Sequence, residues 1–424
     1  MTALIIIVFI LGYIAIAFEH PLKLDKAAAA LLTGVICWTL HVVQAPSSEL
    51  AVDELMHHLG EIASILFFLL GAMTIVELID SHNGFNIIVR RINTTSKRKL
   101  LIIVTCLTFF LSAILDNLTT AIVMASLCSK LLSEKNDRLW FCGMIVIAAN
   151  AGGAWSPMGD VTTTMLWIGG QITAMNIIKQ LLLPSMAVCI VPLLIMARKF
   201  GRSKINATLR SIPPSNNRED LFILCSGIGF LLFVPLFKTV THLPPFMGIL
   251  LALGMMWVIT SIIHKDKPPE LVRNYTVTKA LQKIDSPSIL FFLGILMAVS
   301  ALESHGILKD TATAMDTHLK NDFAIGSVLG LLSAIVDNVP LVAASQGMYD
   351  LSTYPTDHHF WEFLALTTGT GGSAIIIGSA AGVAVMGIEK VDFLWYLKRI
   401  SWLALIGFIA GIAVFLLQVN LGLG

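Results

Sequence analysis

Leu111-Ser112-Ala113-Ile114-Leu115-Asp116-Asn117 returns, with one apolar exchange, as Leu332-Ser333-Ala334-Ile335-Val336-Asp337-Asn338. The match extends outward from both copies. Phe67-Phe68-Leu69-Leu70-Gly71 is echoed by Phe291-Phe292-Leu293-Gly294, and Asp80-Ser81-His82 by Glu303-Ser304-His305. Ala151-Gly152-Gly153 is echoed by Thr370-Gly371-Gly372. The offset hardly drifts: 224 residues from Phe67 to Phe291, 221 from Leu111 to Leu332, 219 from Gly152 to Gly371. Chance similarity between apolar segments does not keep both order and spacing. The chain is therefore read as two related halves, residues 1–200 and 221–424, joined by a basic linker at 201–220 that holds Pro213-Pro214.

The halves belong in a membrane. Hydrophobic residues make up 56% of the 424 positions and charged residues 13%, against about 25% charged in a soluble domain. Uncharged stretches such as Ala3–Phe18, Ala27–Val43 and Leu221–Val234 suit helices that cross about 30 Å of hydrocarbon. The fold class is an all-α polytopic membrane protein. Approximate spans are 2–18, 27–43, 61–80, 140–168, 180–198, 221–240, 245–264, 287–305, 361–388 and 400–420. The first lacks a basic leader and a cleavage site, so it reads as an uncleaved span. A net charge of +1 with no basic face argues against a nucleic-acid partner. The six cysteines are scattered singly, without metal-ligand spacing, and read as packing residues.

Loop charges set the orientation. Arg90, Arg91, Lys97, Arg98 and Lys99 lie in one loop; Arg198, Lys199, Arg202, Lys204, Arg210 and Arg218 in a second; Lys265, Lys267, Arg273, Lys279 and Lys283 in a third. These are expected on the cytoplasmic side. Loops 44–60 and 349–360 have acids and histidines but no Lys or Arg, and are expected outside. The apolar stretch at about 98–133 has basic residues at both ends, including Lys130, Lys135 and Arg138. It must enter and leave on one face, as a re-entrant hairpin whose tip is Asp116-Asn117. The stretch at about 322–348 is its counterpart from the outer face, with Asp337-Asn338 near the tip. Five spans plus a hairpin per half turn the second copy over, which is the inverted-repeat plan of secondary transporters.

Two spans carry sequences that a continuous helix cannot hold. One runs Asn150-Ala151-Gly152-Gly153-Ala154-Trp155-Ser156-Pro157-Met158-Gly159-Asp160-Val161-Thr162; the other Thr367-Thr368-Gly369-Thr370-Gly371-Gly372-Ser373, then Gly378-Ser379. Broken helices are expected at about 140–168 and 361–388. Irregular backbone at membrane depth survives only inside protein or along a wet cavity. An acid at that depth costs roughly 2.5–3.5 kcal/mol even on permissive scales, so Asp116 and Asp337 should face a cavity or a cation. A carboxylate suits a hard cation such as Na⁺, and it can take a proton instead. Asn117, Asn338 and Asn150 could add amide oxygens; Ser112, Thr119, Thr162, Ser333, Thr370 and Ser373 could add hydroxyls. Asp160 is a third acid beside the first break. Glu77, Asp80, His82, Glu303 and His305, at matching span ends, are candidates for gating or pH sensing, with Glu77 and Asp80 also placed to pair with Arg90 or Arg91.

At these residues the chain resembles the NhaD-type sodium/proton antiporters of the ion transporter superfamily. The matching text is Thr74-Ile75-Val76-Glu77-Leu78-Ile79-Asp80-Ser81-His82-Asn83-Gly84-Phe85, residues 111–120, residues 150–163 and residues 332–338. The resemblance implies a dimeric elevator transporter, with a scaffold and a moving domain built from the hairpins and broken helices. By motif match it implies Asp116, Asn117, Asn150, Asp160, Thr162, Asp337 and Asn338 as the functional set. Na⁺ would sit at Asp116, Asn117, Asp337 and Asn338.

The expected function is exchange of Na⁺, or Li⁺, for H⁺ in pH homeostasis. It needs no cofactor beyond the transported ions and no enzyme activity. The expected setting is a bacterial cytoplasmic (inner) membrane, as a homodimer in lipid. The main rival is an anion or metalloid permease of the same superfamily, of dicarboxylate, citrate or arsenite type. That reading needs a basic residue in the cavity, and the broken segments have none. An intramembrane aspartyl protease is a second rival, but no GxGD-type motif surrounds the acids.

Overall fold

The computed structural model describes residues 2–17, 19–90, 92, 94–201, 203, 217–268, 272 and 275–422. Among the described residues it is all-helical, with no strand. The principal helices are α1 (Thr2–Ala17), α2 (Lys26–Gln44), α3 (Ser48–Ser81), α4 (Lys97–Leu115), α5 (Asn117–Leu131), α6 (Lys135–Ala154), α7 (Val161–Ile168), α8 (Ala174–Phe200) and α9 (Asn217–Thr241). They continue as α10 (Pro245–His264), α11 (Ser286–Ser304), α12 (Ile307–Leu319), α13 (Asp322–Leu332), α14 (Asn338–Met348), α15 (His359–Gly371), α16 (Ala380–Glu389) and α17 (Ser401–Asn420). Eight of the described helices are long and apolar enough to cross a membrane. This is a polytopic membrane protein.

The two stretches set apart by sequence each fold as a pair of helices. Asp116 alone joins α4 to α5, at φ +86°. A non-glycine residue there stores about 1–3 kcal/mol of strain. Its carboxylate caps α5, accepting from the Thr119 amide at 2.8 Å and the Thr119 hydroxyl at 2.7 Å. The second tip is longer: residues 333–337 turn between α13 and α14, and Asp337 caps α14 at the Val339 amide, 3.2 Å away.

Both broken helices break where their glycines fall. Residues 155–160 separate α6 from α7, and 372–379 separate α15 from α16. The glycines let backbones touch. A methyl on Gly152 would run into the Phe109 carbonyl, and one on Gly371 into the Gly330 carbonyl. Phe109 and Gly330 lie 221 residues apart, the offset of the repeat, so the same contact is made twice. Ser112 Oγ likewise donates to the Ala149 carbonyl at 2.6 Å, and Ser333 Oγ to the Thr368 carbonyl at 3.0 Å. Residues 140–154 of α6 and 360–371 of α15 are buried throughout, so the broken helices form the centre of the molecule.

Other pairings cross between halves. α2 packs on α11, and α3 on α10. α3 and α11 occupy matching places in the repeat, yet they run antiparallel. Ser304 at the end of α11 meets His58 near the start of α3 at 3.2 Å, while Lys283, just before α11, meets Glu77 near the end of α3 at 2.8 Å.

Several expectations are corrected. The span read as 61–80 is a helix beginning at Ser48, so most of the supposed 44–60 loop is helical. Its acids and histidines tolerate helix well, and apolar content alone does not mark a helix that continues beyond hydrocarbon. Glu77 pairs with Lys283 at 2.8 Å; the Arg90 side chain and Arg91, its expected partners, lie outside the described residues. α12, which buries only Leu308 and Ala312, was not foreseen. Pro213-Pro214 and most of the linker lie outside the described residues.

Candidate cation and proton site

Asp160 is the centre of a buried polar cluster drawn from both halves. It precedes α7 and caps it, with the Thr162 amide 3.1 Å from Oδ1. Asn117, first residue of α5, donates from Nδ2 to Asp160 Oδ2 at 2.9 Å and to Asn150 Oδ1 at 3.1 Å. Asn338, first residue of α14, donates to Asp160 Oδ2 at 3.2 Å. Asn150, on α6, donates to Ser373 Oγ and Ser379 Oγ, each at 2.9 Å. Asp160 is 2% exposed and Asn150 fully buried. A buried carboxylate without such donors would be costly; here three N–H groups face it.

The tip acids stand one step outside. Asp116 and Asp160 line one cavity of about 50 Å³ with Asn117, Met158, Thr164 and Phe292. Asp337 lines a different cavity, of about 60 Å³, with Ser379, Lys26 and Glu19. Each tip acid is held by its own helix start, because a carboxylate two or three residues ahead of free N–H groups is drawn to them. Of the expected ligands, Asn117, Asn150, Asp160, Asn338 and Ser373 are brought together. Thr162 is fully buried beside them, and its hydroxyl makes no hydrogen bond among the described residues. Thr119 stays with Asp116. Ser112 and Ser333 donate to backbone carbonyls of the neighbouring broken helices, Ala149 and Thr368, and Thr370 donates to Leu366 one turn back at 2.6 Å.

The span-end residues fall in two separate places. His82 meets His264, and Asp80 is exposed nearby. At the other end of α3, His305 meets His41 at 3.3 Å, and Glu303 lines a cavity of about 440 Å³ with His58, Glu61 and Gln346. Neither group touches Asp160.

Two contributors were missing from the sequence reading. Ser379 occupies the repeat position of Asp160, 219 residues on, and caps its own helix through the Gly382 amide at 3.2 Å. That offset was the signal that could have found it. Lys26 reaches the Asp337 cavity from the start of α2, and nothing local in the sequence pointed there. Glu362, 1% exposed on α15, is a further buried acid, hydrogen-bonded by Asn176 of α8.

The arrangement can hold a cation or a proton. An ionised carboxylate surrounded by amides and hydroxyls offers several hard oxygen ligands once the amides turn their oxygens inward.

Known proteins resemble this chain over most of its length. Residues 13–371 match the family described as citrate transporter (CitMHS). Sodium/proton antiporter 1 of Arabidopsis thaliana is 47% identical, over 98% of this chain and 72% of that protein. Sodium/proton antiporter 2 of the same plant is 46% identical, over 97% of this chain and 98% of its own. The Na⁺/H⁺ antiporter NhaD of Vibrio cholerae is 32% identical, over 97% and 91%.

Proposed function

The chain belongs to the family described as citrate transporter, and we propose that, like its relatives named sodium/proton antiporters, it exchanges Na⁺, with Li⁺ as an alternative cation, for H⁺. The observation that carries the reading is the Asp160 carboxylate, ringed by amides from both halves. The antiporter names of its relatives support the same reading.

One carboxylate cannot hold Na⁺ and H⁺ at full strength together, so binding one releases the other. Turning the Asn117 and Asn338 side chains about their terminal bonds exchanges N–H for C=O. The amide nitrogens serve the carboxylate when no cation is there; the oxygens serve Na⁺ when it arrives. Asp116, beside the same cavity, is the acid next in line to pass a proton or draw in the cation.

The duplicated contacts and the antiparallel course of α3 and α11 support an inverted repeat with two re-entrant hairpins. The cross-paired helices α2, α3, α10 and α11 would form a fixed scaffold, and the hairpins with the broken helices a moving body, in an elevator-type cycle. A homodimer, the basic loops in the cytoplasm, and a bacterial cytoplasmic membrane complete the proposal. With relatives from plants as well as bacteria, the essential property of that membrane is its proton gradient.

The family's description names citrate, and Lys26 beside Asp337 is the basic residue an anion reading would call for. Against it, the ring around Asp160 contains no Lys or Arg. The test uses everted vesicles holding a preformed pH gradient. Adding Na⁺ or Li⁺ should dissipate it; citrate added without Na⁺ should not. A response to citrate and none to either cation would favour the anion reading.

A further inference from the structure

We propose that His82, His264 and Glu219 bind a divalent transition-metal ion of the zinc class, at the seam between α3 of one half and α9–α10 of the other. This goes beyond the exchange reaction: none of the three residues touches the Asp160 cluster.

The imidazoles are buried, His82 at 2% and His264 at 5% exposure. His82 Nδ1 donates to the Leu78 carbonyl at 2.6 Å, so its Nε2 presents a lone pair. That Nε2 lies 2.9 Å from His264 Nε2. With neutral rings, His264 must supply the proton between them, and its Nδ1 is left as a lone pair. That nitrogen is buried and has no hydrogen-bond partner among the described residues, and it lies 3.8 Å from a Glu219 carboxylate oxygen. A lone pair facing a carboxylate in a buried place calls for positive charge. Lys267 provides some, at 2.5 and 2.7 Å from the two Glu219 oxygens, but it does not satisfy the imidazole.

One donor atom from each of the three residues falls within 4.8 Å of the others. Two imidazoles and a carboxylate form a zinc donor set that leaves a fourth position open. A ligating His commonly hands its other N–H to a backbone carbonyl, as His82 does to Leu78. Metal binding at His264 Nε2 moves that ring's proton to Nδ1, where it points toward Glu219, and Zn–N bonds of about 2.0–2.1 Å in tetrahedral geometry then need the two Nε2 atoms only a few tenths of an ångström farther apart than their 2.9 Å. Tyr275 lies against both rings, with centroids at 5.0 and 5.4 Å, and holds them together. The His41–His305 pair is the natural control. There the ring nitrogens already have partners: each other at 3.3 Å, Glu54 at 3.3 Å and Thr2 at 3.0 Å.

The test is calorimetric titration of Zn²⁺ into tag-free, chelator-treated full-length protein in detergent. One equivalent should bind tightly. Affinity should fall by roughly 10–100-fold or more in His82→Gln and His264→Gln, stay unchanged in His41→Gln, and be retained in His264→Cys, whose thiolate can replace the imidazole. Thermal unfolding of each apo variant guards against simple misfolding. Equal binding by His264→Gln, loss in His41→Gln, or a thermal response to pH with no Zn²⁺ binding would each overturn the proposal. None of these readouts depends on ion exchange.

Discussion

Asn338 of the second half reaches the carboxylate of Asp160 in the first, Nδ2 to Oδ2 at 3.2 Å. Asn117 makes the matching approach from the other hairpin at 2.9 Å. The carboxylate therefore has its full set of donors only when the two tips and the first break meet. Any movement that separates the tips strips donors from a buried charge, which ties cluster geometry to what the site holds.

Replacing Asp160 with Asn keeps volume and the capping oxygen but removes the titratable charge. Hydrogen bonds to charged groups are worth about 1.5–3 kcal/mol, so apparent Na⁺ affinity should fall at least tenfold. Proton-coupled exchange should vanish at every pH, measured as Na⁺-driven pH change in proteoliposomes. Near-normal exchange would remove Asp160 from the mechanism.

Asp116→Asn separates a cap from an ion ligand. Asn still accepts from the Thr119 amide, so thermal stability should change little, within about 1 kcal/mol. Exchange should be severely reduced. If exchange survives with unaltered cation dependence, Asp116 is a helix cap and nothing more. Asp337→Asn is expected to behave in the same way.

Gly371→Ala places a methyl on the Gly330 carbonyl. Overpacking of this kind costs about 1–3 kcal/mol, and it should lower both the unfolding temperature and exchange. Gly387, whose added methyl would meet open space, is the control. Gly387→Ala in the same broken span should stabilise slightly, by about 0.5–1 kcal/mol.

His358 caps α15 by accepting the Phe360 amide on Nδ1 at 3.2 Å. Burial holds this imidazole below its usual 6.5. A base with a depressed folded value binds fewer protons folded than unfolded, so the stability it contributes is present above 6.5 and lost as pH falls below it. His358→Asn should retain a cap, worth about 1 kcal/mol, and flatten that dependence. Unfolding temperatures followed from neutral to mildly acidic pH would show it. A wild-type curve unchanged by the substitution would rule this out.

Much of the site was legible because the repeat marked it. The Asp-Asn tips and the Gly-Gly breaks stand out against apolar sequence, and their offsets matched each feature of one half to its counterpart in the other. The rank among the acids was not legible. Asp116 and Asp337 are claimed by the free amides of the helices they begin, an interaction within three residues. Asp160 also caps its helix, yet it collects Asn117 and Asn338 from 43 and 178 residues away. The Glu77–Lys283 and His82–His264 pairs are equally non-local, spanning 206 and 182 residues, and helix periodicity says nothing about them.

By itself the sequence determined the membrane class, the two related halves, and the places where backbone and charge break the apolar pattern. The class and the breaks follow from hydrophobic content, glycine and proline, which are local properties, and the halves from a match of the sequence with itself. Only the tertiary structure decided which carboxylate is surrounded, which acid turns back on its own helix, and that Ser379 faces Asn150 where the other half has Asp160. Hydrogen bonds at about 3 Å between segments far apart in the chain depend on how helices pack, and packing is settled by the whole molecule at once.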